Sequence, residues 1–109
     1  MTALRVCYKS GARFDESYYT SKHLALAGAV MGPHGLKSVE MVKVTATGSG
    51  APSPYQVIFT AYFESPQALQ TALQDPRMPE VLADIAKFHD GTPDLLIGEV
   101  VISASMTGG

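Results

Sequence analysis

His23 is the side chain in this chain best suited to move a proton, because imidazole titrates nearest neutrality. It lies in "FDESYYTSKHLALAGAV", residues 14–30, four positions after Tyr19. At about 100° per helical residue, Tyr19, His23, Leu26 and Val30 fall within one narrow arc. His23 therefore sits on the apolar stripe of a helix, beside Tyr19. Two readings follow. One is a core histidine satisfied by a hydrogen bond to a carbonyl or tyrosine. The other is the acid or base of a pocket.

The remaining reactive residues form weaker patterns. His34 lies in the turn "GPHG" and His89 in "KFHDG"; with His23 they have no recognisable metal-ligand spacing, so no metal site is expected. Asp84 and Asp90 are able to orient a histidine, yet acidic residues at helix ends are ordinarily solvated caps. Cys7, the single cysteine, falls in a strand and reads as a small buried hydrophobe. Phosphate loops and nucleophile elbows are absent.

The elements that carry these residues are legible. "ALRVCYK" (3–9) alternates, with Leu4, Val6 and Tyr8 on one face. Asp15 caps the first helix, Glu16 suits its positive end, and Phe14 can staple to Tyr19. That helix runs to about Val30 and stops at "MGPHG". "LKSVEMVKVTAT" (36–47) and "YQVIFTAYF" (55–63) are β-branched strands joined by the loop "GSGAPSP". Ser65-Pro66 starts a second helix that Asp75-Pro76 ends. A third covers 78–88, and "DLLIGEVVISAS" (94–105) is the last strand.

Strand, helix, strand, strand, helix, strand is the α+β, ferredoxin-like βαββαβ order, with a four-stranded antiparallel sheet covered by helices on one face. The other face asks for a partner, and a second copy is the simplest one. Residues 1–105 read as one domain and 106–109 as a flexible tail.

Composition excludes several classes. The chain has 109 residues, a net charge of −2 and scattered basic residues, which argues against nucleic acid. No apolar run reaches the roughly 18–20 residues of a membrane span. The N-terminus is too short and polar for a signal peptide, and one cysteine suits a reducing cytoplasm, the expected location.

"FDESYYTSKHLAL" resembles the F-D-x-x-Y-Y-x-x-x-H-x-P-L signature of the EthD-like proteins, named for a protein of ethyl tert-butyl ether degradation. "GLKSVEMVK", "PYQVIFTAYFES" and "ADIAKFHDGTPDLLIGEV" are similar to that family's later segments, in the same order. Ala25 departs from the family's proline, Ala86-Lys87 from a frequent Pro-Asn, and His89 stands where a small polar residue or an aromatic is common. The resemblance implies a dimeric α+β barrel, two sheets packed together, with a pocket between helices and sheet in each subunit. Relatives of this fold include cofactor-free monooxygenases, isomerases, decarboxylases and haem-binding members.

The combined expectation is a homodimer, joined through the sheet face, that binds a small, mainly apolar organic molecule without a cofactor. His23 and Tyr19 are the candidate catalytic pair. Leu26, Val30, Ile58, Tyr62, Phe88 and His89 are the candidate ligand contacts. The reaction expected is a cofactor-independent isomerisation, oxygenation or decarboxylation. The alternatives are a non-catalytic accessory protein of a catabolic pathway and, more remotely, haem ligation by His23 or His89.

Overall fold

The computed structural model describes residues 1–105; the expected tail, 106–109, lies outside them. The chain runs β1 (Thr2–Lys9), α1 (Glu16–Tyr18), a π-helical turn (Tyr19–His23), α2 (Leu24–Met31), β2 (Leu36–Lys43), β3 (Tyr55–Phe63), α3 (Pro66–Leu73), α4 (Met78–Asp84) and β4 (Asp94–Glu99). Short 3-10 turns, Gly32–His34 and Ile85–Lys87, follow α2 and α4. The sheet order is β2-β3-β1-β4, and all three pairings are antiparallel. This is the ferredoxin-like α+β fold read from the sequence.

Alternation in the strands splits the sheet into two unlike faces. Leu4, Val6 and Tyr8 of β1 and Val57, Phe59, Ala61 and Phe63 of β3 point toward the helices and are buried. They pack with Ala27, Val30, Met31, Leu69, Val81 and Phe88 in one core. Burying each large side chain contributes about 1.5–3 kcal/mol before ordering entropy is set against it.

The opposite face holds Ala3, Arg5 and Cys7, which pair with Tyr62, Thr60 and Ile58, and beyond them Val42 and Leu96. Ile58 and Tyr62 therefore do not join the helix-side pocket. Both lie one residue out of phase with Val57, Phe59 and Ala61, and the strand period of two sends them to the other face. Cys7 is buried on that face, and burial pushes its thiol pKa up, as befits an inert residue.

Element ends depart from the sequence reading where partners run out. β2 stops at Lys43, opposite Val57 near the start of β3, and only the Val44 N to Gln56 O bond continues beyond it. β4 stops at Glu99 because its partner β1 begins at Thr2, the residue opposite. Val101 and Ile102 are then left 88% and 85% exposed. The helix expected over 78–88 tightens into a 3-10 turn after Asp84. There Arg13 Nη1 and Nη2 donate to the carbonyls of Lys87 and Ala86, at 3.2 Å each. Gly35 has φ of +79° where the first helical run ends, and an added Cβ would meet Ala68 Cβ at 3.0 Å.

Candidate functional site

The site grows from the start of the first helix. Asp15 Oδ1 accepts from Tyr18 N at 3.1 Å, capping α1 as read from the sequence. Phe14 and Tyr19 rings lie 5.1 Å apart, completing the staple. The helix then widens. Leu24 N bonds Tyr19 O, an i→i−5 link, instead of the usual i→i−4. The local sequence supports this: Thr20 Oγ1 donates to Glu16 O at 3.0 Å and Ser21 Oγ to Ser17 O at 2.6 Å. Both hydroxyls thus back-bond to carbonyls one turn earlier, a contact that bends helices.

The π turn changes which side chains share a face. Tyr18 and His23, five residues apart, converge on one carboxylate. Tyr18 Oη donates to Asp84 Oδ1 at 2.7 Å, and His23 Nδ1 lies 2.9 Å from Asp84 Oδ2. Beyond the π turn the helix is an ordinary α-helix, so Ala27 stands one turn after His23. Leu24, Ala27 and Met31, rather than Leu26 and Val30, border the cavity beside His23. Leu26 is half-buried and Val30 buried in the core, and neither lines that cavity.

Asp84, by its place near a helix end expected to be a solvated cap, is buried instead. It is only 9% exposed. A signal was present: Asp84 falls three residues after Val81 and four before Phe88, on the apolar stripe of its helix. A carboxylate on such a stripe needs a buried partner.

His23 is 5% exposed, stacked on Tyr19 at 5.6 Å and tilted against Phe88 at 4.5 Å. Burial pushes its pKa below the ordinary histidine value, and the hydrogen bond and charge of Asp84 only partly restore it. The neutral ring with hydrogen on Nδ1 is the form that fits an anionic Asp84. Burial pushes the Asp84 pKa up, but hydrogen bonds from Tyr18 and His23, with Lys87 at 3.9 Å, outweigh it and hold the carboxyl below its usual range. Nε2, the remaining ring nitrogen of His23, makes no hydrogen bond among the described residues.

The cavity beside His23 has a volume of about 100 Å³. Val6, Ala27, Phe59, Val81 and Leu95 are among the side chains that wall it, almost without polar surface. Tyr8 and Tyr19 also border it, and burial pushes both phenols far above the ordinary tyrosine range, so they stay protonated. Tyr19 Oη is enclosed beside the Tyr8 hydroxyl. At this volume the cavity does not admit a porphyrin; drug-sized ligands occupy roughly 300–1,000 Å³.

Of the expected residues, then, His23, Tyr19 and Phe88 come together. His89 lies behind Phe88, 1% exposed, with Nδ1 2.9 Å from Arg13 O. His34 pairs instead with Asp75 at 2.8 Å, near the junction of α3 and α4. Among the described residues no three His, Cys, Asp or Glu side chains cluster to hold a metal ion, and no helix is long and apolar enough to cross a membrane.

Comparison with known proteins agrees with this architecture. No curated protein matches the sequence. Among solved structures, an EthD-like protein from Ralstonia eutropha JMP134 is 31% identical, with a TM-score of 0.82 over 95% of both chains. An ethyl tert-butyl ether degradation (EthD) family protein from Bacillus halodurans C-125 is 22% identical, with a TM-score of 0.75 over 93% of this chain and 99% of that one. SnoaB, a cofactor-independent oxygenase from Streptomyces nogalater, shares the fold at 10% identity, with a TM-score of 0.62 over 99% of this chain and 95% of that one. The EthD domain model matches residues 12–92, a span that includes Tyr18, Tyr19, His23 and Asp84. The chain belongs to the EthD family, within the dimeric α+β barrel superfamily.

Proposed function

We propose that this protein binds a small, mainly apolar organic molecule between helices and sheet, and that His23 acts on it as an acid–base group without a cofactor. One observation carries the reading: His23 borders an apolar cavity while its other nitrogen is held 2.9 Å from a buried carboxylate. Asp84 fixes the tautomer, so Nε2 presents its lone pair to a ligand proton. After transfer, the carboxylate stabilises the imidazolium. Tyr18 steadies Asp84 from its second oxygen, and Lys87 adds positive charge. The apolar wall excludes water and strengthens each polar contact. A positioned base of this kind contributes about 10²- to 10⁴-fold in rate.

The reaction class consistent with these parts is proton abstraction from an acidic C–H or O–H. That step begins isomerisation, decarboxylation and cofactor-independent oxygenation alike. Lactones, quinols and aromatic polyketide mimics are the substrates to screen. His23→Ala with unchanged turnover of an identified substrate removes His23 from the chemistry. Binding without turnover, weakened by the same substitution, makes the protein a ligand carrier instead.

The protein also pairs with a second copy through the open sheet face. Val42 and Leu96 are half exposed there, and the superfamily to which the chain belongs supports the pairing. Light scattering at micromolar concentration returns the mass of two chains; the mass of one refutes the pairing.

A further inference from the structure

His89 is a second buried imidazole, and the chemistry assigned to His23 makes no use of it. It is pinned in place. Its backbone bridges to Phe14, Asp15 N donates to Phe88 O at 2.8 Å, and its ring packs edge-on against Tyr8 at 5.3 Å. Nδ1 faces the carbonyl of Arg13 at 2.9 Å, an acceptor that can only be met by an N–H. Hydrogen therefore sits on Nδ1, and in the neutral ring Nε2 carries a lone pair. That lone pair is enclosed and has no partner, a cost few native proteins leave without a purpose.

Gly91 covers it. A Cβ on Gly91 would lie 3.0 Å from Nε2. Gly91 is not among the positive-φ glycines, so its backbone does not require a glycine. The backbone of residue 91 lies so close over Nε2 that any side chain there would crowd it. His89 and Gly91 border a surface hollow of about 390 Å³, and three of its walls, Leu82, Ile85 and Leu95, also border the His23 cavity. The two spaces therefore adjoin along one apolar rim.

We propose that the hollow is the second half of the ligand site, taking a hydroxyl-bearing end that donates to His89 Nε2 once Gly91 yields. This rests on the helix–sheet pocket proposed above and narrows its ligand class. The molecule is elongated and apolar along its middle, with a protic group at the His23 end and a hydroxyl at the other. A phenolic or polycyclic hydroxyaromatic skeleton satisfies that description.

The test compares β-naphthol with 2,6-dihydroxynaphthalene by calorimetry, and follows the nitrogen NMR resonances of His23 and His89. One added hydrogen bond should make the diol bind about 3- to 10-fold more tightly, with movement of the His89 Nε2 resonance. Gly91→Ala and His89→Phe should each reduce the diol to the affinity of β-naphthol while leaving β-naphthol unchanged. The phenylalanine keeps the ring packing on Tyr8, so two independent variants report on the same atom. An equal affinity of both probes in the native protein, or a diol advantage that survives both substitutions, overturns the subsite and leaves the pocket standing. If neither probe binds and the His23 resonance does not move, the pocket reading fails, and the subsite with it.

Discussion

Asp84→Asn separates the charge of the buried carboxylate from its shape. The amide keeps a bond to Tyr18 and to His23 Nδ1, the contacts now at 2.7 and 2.9 Å. At pH 7.5 His23 is neutral in the folded and unfolded chains alike. The loss there is the difference between a charge-assisted and a neutral hydrogen bond from Nδ1, about 1 kcal/mol. In urea this lowers the unfolding midpoint by about 0.3–1 M. Acid makes the difference larger. Burial holds the folded pKa of His23 below its unfolded value, so the unfolded chain takes up the proton first and stability falls as pH drops below about 6.5. In the native protein Asp84 opposes that fall, because its charge favours the imidazolium. In the variant nothing opposes it, and the loss continues further into acid. The gap between the two proteins therefore widens by up to about 1.4 kcal/mol per pH unit while only the native His23 is charging. Urea unfolding at pH 7.5, 6.5, 5.5 and 4.5, at one fixed protomer concentration, measures it. A gap that stays constant with pH, or a variant more stable at pH 5.5, refutes the electrostatic coupling of His23 to Asp84.

Other outcomes follow from the same geometry. Activity on any identified substrate should rise with pH on an acidic limb whose midpoint lies below that of a free histidine, since burial lowers the His23 pKa and the base form is required; a pH–rate profile with no such limb excludes His23 as the base. Phe88→Ala should cost about 3–5 kcal/mol in thermal or urea unfolding, because the ring is fully buried and touches Tyr8, Phe14, Tyr19 and His23. Ala27→Leu should fill the cavity and abolish ligand binding, whereas Leu26→Ala should leave binding nearly unchanged, because of the two only residue 27 borders the cavity; the reverse ranking in a calorimetric titration would place the ligand elsewhere than in this cavity. Leu96→Glu should shift the protein toward single chains in light scattering, since Leu96 is 55% exposed on the open face.

Local rules made most of the fold readable before any coordinates. The Asp15 cap, the Phe14–Tyr19 staple, the Ser65 cap and the alternation of β1 depend on neighbours within about five residues, and each stands where its residue types require. His23 was legible as an inward histidine for the same reason. Strand ends were less so, because Lys43 and Glu99 end their strands where a distant partner strand ends. Ile58 and Tyr62 lie on the face away from Val57 and Phe59, which the strand period of two alone dictates.

What tertiary structure alone decided is the chemistry available to His23. A helix drawn at a uniform 3.6 residues per turn puts Tyr19, His23, Leu26 and Val30 on one stripe. The π turn at Tyr19–His23 lets Tyr18 and His23, five residues apart, reach the same carboxylate, while Ala27 and Met31 rather than Leu26 and Val30 border the cavity. That partner, Asp84, lies 61 residues away, and no local pattern pairs two side chains across such a distance. The sequence determined that an imidazole would face inward. The packing of α4 against the first helix determined that one of its nitrogens would be held by a carboxylate, and that the other would make no hydrogen bond among the described residues.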